Sequence, residues 1–184
     1  FYEGIHTGRF GAMSIISFNG NKIITTGGGG MVITDDKFIA KRLKHITTTA
    51  KIPHPWLYKH DELGYNYRLP NISAALGLGQ FENIQAVFKD KERIYKRYKN
   101  NLENVKGVNI PKVRDWVTNY IMWVFNLYLD DNFPISRDEL TKKLKEKNID
   151  TRDAFVPINQ QKILVDKYNL FKESDCPNSN YIME

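Results

Sequence analysis

Ser17-Phe18-Asn19-Gly20-Asn21-Lys22-Ile23-Ile24-Thr25-Thr26-Gly27-Gly28-Gly29-Gly30 is the stretch on which the reading of this chain turns. Apolar runs at 13–16 and 31–33 flank it, so the stretch presents a lysine between two strands expected to be buried. Each glycine inside a strand costs stability. A run of four therefore suits backbone that needs positive φ or that comes close to a ligand. A flexible hairpin turn accounts for the same composition, and the stretch alone does not separate the two.

Working outward, 13–18 reads as a strand buried on both faces, and 31–33 reads as a second strand. Thr34-Asp35-Asp36 supplies cap chemistry for a helix over 37–46, with Phe38, Ile39, Leu43 and Ile46 on one face against the sheet. Pro53 and Pro55 break 47–60 into a loop where His54, Trp56, Tyr58 and His60 gather. Asn71 then caps a long helix to about 101, whose apolar positions include Ile72, Ala75, Leu76, Ile84, Val87 and Phe88. After Gly107 and Pro111, a strand is expected over 119–129, ended by the turn Asp130-Asp131-Asn132. Ser136 with Glu139 forms a capping box for a helix to about 147, and 149–155 is expected to return as a strand. Residues 159–169 read as helix and 172–180 as polar loop.

The 184 residues are 41% hydrophobic and 26% charged, with no apolar run near the ~20 residues of a membrane helix. The composition describes a soluble globular chain. The lone Cys176 excludes an internal disulfide and fits a reducing cytoplasm. The net charge of +6 raises nucleic acid as a partner. Against it, the lysines alternate with acids, as in Lys89-Asp90-Lys91-Glu92-Arg93, which describes a solvated helix face.

Known phosphate motifs do not fit. A Walker loop needs its lysine directly after the last glycine, whereas Lys22 precedes the run. The dinucleotide fingerprint needs a glycine at its sixth position, which is Val32 counted from Gly27 and Ile33 counted from Gly28. His54 and His60 lack the partner pair a zinc site requires, so no metal is expected. Cys176 reads as a surface position. A lysine at a strand end remains, and the chemistry that uses one is bond formation between its amine and an aldehyde.

The glycine stretch, followed about forty residues later by Gly64-Tyr65-Asn66-Tyr67-Arg68-Leu69-Pro70-Asn71-Ile72 and by Ala74-Ala75-Leu76-Gly77, resembles the DegT/DnrJ/EryC1/StrS aminotransferases. The nearest branch is that of perosamine-type or legionaminic-type amino sugars. The resemblance implies an α/β chain of the fold-type-I pyridoxal-phosphate transferases. Residues 1–70 would end the large domain, 71–106 would form a linking helix, and 107–184 a small C-terminal α/β lobe. It implies pyridoxal 5'-phosphate as cofactor and amino transfer, from glutamate, to a nucleotide-linked keto-deoxysugar in the cytoplasm.

By the same resemblance, Lys22 is the covalent anchor of the cofactor and the base that shuttles its proton, and Ser17 binds the cofactor phosphate. Asn66 matches an asparagine that reaches the cofactor phosphate of a neighbouring subunit, which implies a homodimer with shared sites. Arg68 would hold a donor carboxylate or a diphosphate, or else brace the following helix, and Arg152 would approach the substrate from the small lobe. Many family members carry an acidic residue where this chain has Gly28 or Gly29. The family's ring-binding residues belong to an N-terminal half that this chain does not match, so the chain corresponds to the second half of a member and is expected to be inactive alone. A non-catalytic binding or regulatory protein on the same fold is the rival reading.

Overall fold

In the computed structural model, which describes residues 1–172 and 175–183, the strands β1 (Ser14–Ser17) and β2 (Gly30–Ile33) pair antiparallel. Ser14 lies opposite Ile33, and Ser17 lies opposite Gly30. Both strands stand where the apolar runs place them. Their expected burial on both faces is not observed: Ile15 is 79% exposed, and Met31, Val32 and Ile33 are exposed as well. A two-stranded ribbon has too few neighbours to be covered on two faces.

Helix α1 (Lys37–Ile46) starts as read from the sequence. The Asp36 carboxylate accepts from the Phe38 and Ile39 amides at 2.7 and 3.1 Å, satisfying two otherwise unpaired donors. Ile39, Leu43 and Ile46 share the inner face, whereas Phe38 points to solvent, one residue out of step with them. The single long helix is corrected to two, α2 (Asn71–Glu82) and α3 (Ile84–Leu102). At the junction the Asn83 side-chain amide donates to the Gly79 carbonyl at 3.1 Å, local bonding that competes with a continuous helix. Pro70, not Asn71, is the N-cap, and Asn71 is already helical.

The chain divides into two compact units. The first comprises 1–99 and 112–125. Within it the returning segment is tied to the N-terminus, where the Phe1 ammonium donates to the Asn119 carbonyl at 3.0 Å and the Glu3 amide to that of Trp116 at 2.9 Å. The segment also packs its rings on α3: Phe125 stacks on Tyr98 at 4.7 Å, and Tyr120 meets Tyr95 edge-on at 5.6 Å. The expected strand over 119–129 is thereby reduced to Tyr128–Leu129 (β4). The aromatic residues before it are engaged in ring packing rather than in a ladder.

The second unit comprises 100–111 and 126–184. Val108–Asn109 (β3), unforeseen from the sequence, pairs antiparallel with β4. Asp130 orders the next turn, accepting from the Asn132 amide at 2.9 Å and from the Asn109 side chain at 2.8 Å. These donors hold its carboxyl below the usual aspartate range. Gly107 has φ +80°, and a Cβ there would lie 2.3 Å from the Phe133 nitrogen, so both conformation and space require glycine.

Helix α4 (Arg137–Glu146) is capped by Ser136, whose hydroxyl accepts from the Glu139 amide at 3.2 Å, as the capping box predicts. Residues 149–155 form no strand, and the expected helix over 159–169 is two short turns, Ile158–Gln160 and Ile163–Lys167. Part of the expected polar loop is instead helix α5 (Pro177–Met183), while Glu173 and Ser174 of that loop lie outside the described residues. Asn180 on α5 accepts from the side-chain amides of Asn159 at 3.1 Å and Gln160 at 2.9 Å. Polar bonds rather than an apolar stripe seat this helix, which is why periodicity did not disclose it. Among the described residues, no helix is long and apolar enough to cross a membrane.

Candidate active site

Lys22 lies on the 18–29 connection between β1 and β2, and this long connection is heavily bonded to itself. The Phe18 amide donates to the Gly29 carbonyl, and the Thr26 amide to that of Phe18, both at 3.0 Å. The Thr25 hydroxyl donates to the Phe18 carbonyl at 3.1 Å and accepts from the Gly27 amide at 3.0 Å, while the Thr26 hydroxyl donates to the Gly28 carbonyl. The turn at the lysine is closed by the Lys22 amide donating to the Asn19 carbonyl at 3.0 Å. The flexible-turn reading of the stretch does not hold for this geometry.

Helix α2 adds a clamp from fifty-five residues away. The Gln80 side chain accepts from the Thr25 amide at 3.1 Å and donates to the Thr25 carbonyl at 2.5 Å, satisfying both backbone groups of one residue. Gly77 makes the approach possible, because a Cβ there would lie 2.9 Å from the Thr26 methyl. Gly29, at φ +86°, packs against Leu69, whose Cδ1 a Cβ would meet at 2.8 Å. Gly28 differs: its φ is ordinary and a Cβ would meet nothing within 4 Å. Of the two positions where the resemblance expects an acidic residue, Gly28 has both the room and the backbone for one.

Ser17 ends β1, and its hydroxyl accepts from the Asn19 amide at 3.4 Å. The Lys22 ammonium lies 3.4 Å from the centre of the Trp123 ring, and the indole N–H donates to the Asn21 carbonyl at 2.7 Å.

The second motif is built against the end of α1. The Tyr65 and Tyr67 amides donate to the Ile46 and Thr47 carbonyls at 2.7 and 3.0 Å, and the Thr49 amide donates back to the Tyr65 carbonyl at 2.9 Å. Gly64 sits so near this backbone that a Cβ would lie 2.3 Å from the Ala50 nitrogen. The Tyr65 and Tyr67 rings stack at 5.2 Å, so Asn66 between them faces the opposite way on extended backbone and is exposed. Arg68 follows, also exposed.

An ionic latch ties the start of this motif to α1. Arg42 pairs with both oxygens of Glu62, and His45 Nε2 meets Asp61 at 2.7 Å. Hydrogen bonding from His45 lowers the Asp61 pKa, and that from Arg42 lowers the Glu62 pKa. His45, Asp61 and Glu62 have the atoms to grip a cation, but the Arg42 guanidinium already lies against both Glu62 oxygens.

The stretches that carry the resemblance thus meet within one unit, at Gly29 with Leu69 and Thr26 with Gly77, and Gln80 just beyond them reaches Thr25. Arg152 belongs to the other unit, exposed on irregular chain. Gln80 and Trp123 escaped the sequence reading. Gln80 shares helix α2 with other polar residues, Asn71, Ser73 and Glu82, so nothing local marks it out. Trp123 was absorbed into an aromatic strand pattern.

The fold of this chain matches that of solved sugar aminotransferases. The PseC aminotransferase of Helicobacter pylori superposes with a TM-score of 0.84 at 20% identity over 99% of this chain and 49% of that one. Residues 1–184 match the model of the DegT/DnrJ/EryC1/StrS aminotransferase family, and the chain belongs to that family. It is 37% identical over 87% of its length to EpsN of Bacillus subtilis, whose name describes a pyridoxal phosphate-dependent aminotransferase, covering 40% of that protein. It is 36% identical over 91% of its length to the GDP-perosamine synthase of Escherichia coli O157:H7, covering 44% of that enzyme. The chain therefore spans less than half the length of these two curated relatives.

Proposed function

We propose that the protein carrying this chain is a pyridoxal-phosphate-dependent aminotransferase. It moves an amino group from glutamate to a keto carbon of a nucleotide-linked deoxysugar, in the cytoplasm, for amino-sugar or surface-polysaccharide synthesis. The observation that carries this reading is the clamped Lys22 loop packed directly against the Gly64–Gln80 region. The relatives' names point the same way, toward perosamine and related amino sugars.

The residues fit the cofactor's chemistry: a primary amine for its aldehyde and a hydroxyl for its phosphate ester stand five residues apart on one hairpin. The backbone at Gly27 and Gly28 is open, since a Cβ at either meets nothing within 4 Å. When bound, pyridoxal phosphate supplies the aldehyde and the electron sink. Lys22 would hold it through Nζ, and the same nitrogen, when free, would carry a proton. Ser17 donates its hydroxyl to the phosphate. Asn66 serves the phosphate of a second copy's site, Arg68 holds a carboxylate or diphosphate, and Arg152 approaches the sugar nucleotide.

The exposed Asn66 and the exposed Ile15, Trp56, Leu63 and Ile72 support a homodimer and further polypeptide covering this unit. In this reading residues 1–70 close the large domain, 71–106 link, and 107–184 form the small lobe, apart from 112–125, which pack within the first unit. The test is to incubate the full-length protein with pyridoxal phosphate, glutamate and a panel of nucleotide-linked keto-deoxysugars. Ketone-to-amine conversion is expected by mass spectrometry, lost in Lys22→Ala. No amine from any member of the panel contradicts the proposal.

A further inference from the structure

The Lys22 amine has two states in the proposed reaction, bonded to the cofactor and released, and the contact with Trp123 concerns the second. The ammonium lies 3.4 Å from the centre of the indole ring, within the range where a cation is attracted by the ring's negative face. The ring is held by its own edge, because its N–H donates to the carbonyl of Asn21, the residue next to the lysine. Ring and lysine are thus fixed to one another from both sides.

The segment that carries Trp123 is itself anchored. Met122 beside it is buried, and Phe125 two residues on stacks on Tyr98 of α3 and approaches Tyr95 at 6.0 Å. Chain from outside the hairpin therefore presents a prepared aromatic surface to the reactive amine.

We propose that Trp123 is a positioning residue, a dock for the Lys22 ammonium whenever that amine is not bonded to the cofactor. The inference rests on the reading of Lys22 as the anchor. The dock keeps a long, flexible side chain in one place and so reduces the ordering needed before it acts again. Trp123→Leu removes both the ring and the N–H, while Trp123→Phe keeps a ring face and removes the N–H.

The test uses the full-length protein without cofactor, so that it can fail independently of the cofactor-based assay. Brief acetylation at one pH, mapped by peptide mass spectrometry, compares Lys22 with Lys51, whose ammonium lies 3.8 Å from the Tyr58 ring and which serves as internal reference. An ammonium docked on a ring is shielded from the reagent. Trp123→Leu is expected to raise the Lys22/Lys51 labelling ratio about two- to fivefold, and Trp123→Phe by less. An unchanged ratio in Trp123→Leu overturns the dock. Should that variant not fold, the indole N–H resonance of Trp123, assigned through Trp123→Phe, is expected to shift in Lys22→Met, and a resonance that stays in place overturns the proposal.

Discussion

The 18–29 connection and the 47–70 segment belong to one unit, lack long regular elements, and each carries residues assigned to the site. Both use neutral hydrogen bonds, and they differ in what is added to them. The lysine connection is fixed by neutral hydrogen bonds, among them the pair in which Gln80 accepts from the Thr25 amide and donates to the Thr25 carbonyl. The asparagine segment has backbone hydrogen bonds of its own, from the Tyr65 and Tyr67 amides to the end of α1, and adds to them the close approach at Gly64 and the charged latch of Arg42, His45, Asp61 and Glu62. Neutral bonds to part-buried backbone are insensitive to salt, whereas exposed ion pairs are screened. The group proposed for covalent chemistry is thus held by the less condition-dependent device, and the group proposed to reach a partner copy by the more adjustable one.

The largest effect is expected at Gly64, in the asparagine segment. Gly64→Ala forces its Cβ into the Thr49–Ala50 backbone, and a loss of about 3 kcal/mol is expected in denaturant melts. Next comes Gln80→Leu, which leaves both backbone groups of Thr25 without their side-chain partner. About 1 to 3 kcal/mol of local stability should go, read as faster hydrogen exchange at the Thr25 and Gly27 amides, with Tyr65 and Tyr67 unchanged.

Glu62→Gln should have a smaller effect, seen at Tyr65 and Tyr67 and not at Thr25, and largely abolished in about 1 M salt. The Asp61 and Glu62 pKa values are lowered in the folded chain. Their contribution is therefore complete above the usual carboxylate range of ~4 and is lost as pH falls through the lowered values. The difference in melting temperature between wild type and Glu62→Gln should accordingly shrink on acidification from about pH 6 to about pH 3. The smallest effect is expected for Gly28→Glu, within about 0.5 kcal/mol of wild type, whereas the same change at Gly29 meets Leu69 at positive φ and destabilises.

The same contrast explains what could be read in advance. Local signals were legible: Asp36 and Ser136 fixed two helix starts, and alternation of apolar runs and glycines located β1 and β2. Non-local bonds left no local trace. Gln80 acts on Thr25 across the chain, Asn180 seats α5 through Asn159 and Gln160, and rings on α3 draw 119–125 out of a ladder. The candidate residues Ser17, Lys22, Asn66 and Arg68 came from motif likeness, while the reason their stretches meet lay in glycines that permit contact.

Lys22 is the proposed anchor of the cofactor. Reduction of the full-length protein with borohydride in the presence of pyridoxal phosphate, followed by peptide mapping, tests it directly. A single stoichiometric pyridoxyl label on Lys22, absent in Lys22→Ala, is expected. A label spread over surface lysines, or none at all, would contradict it.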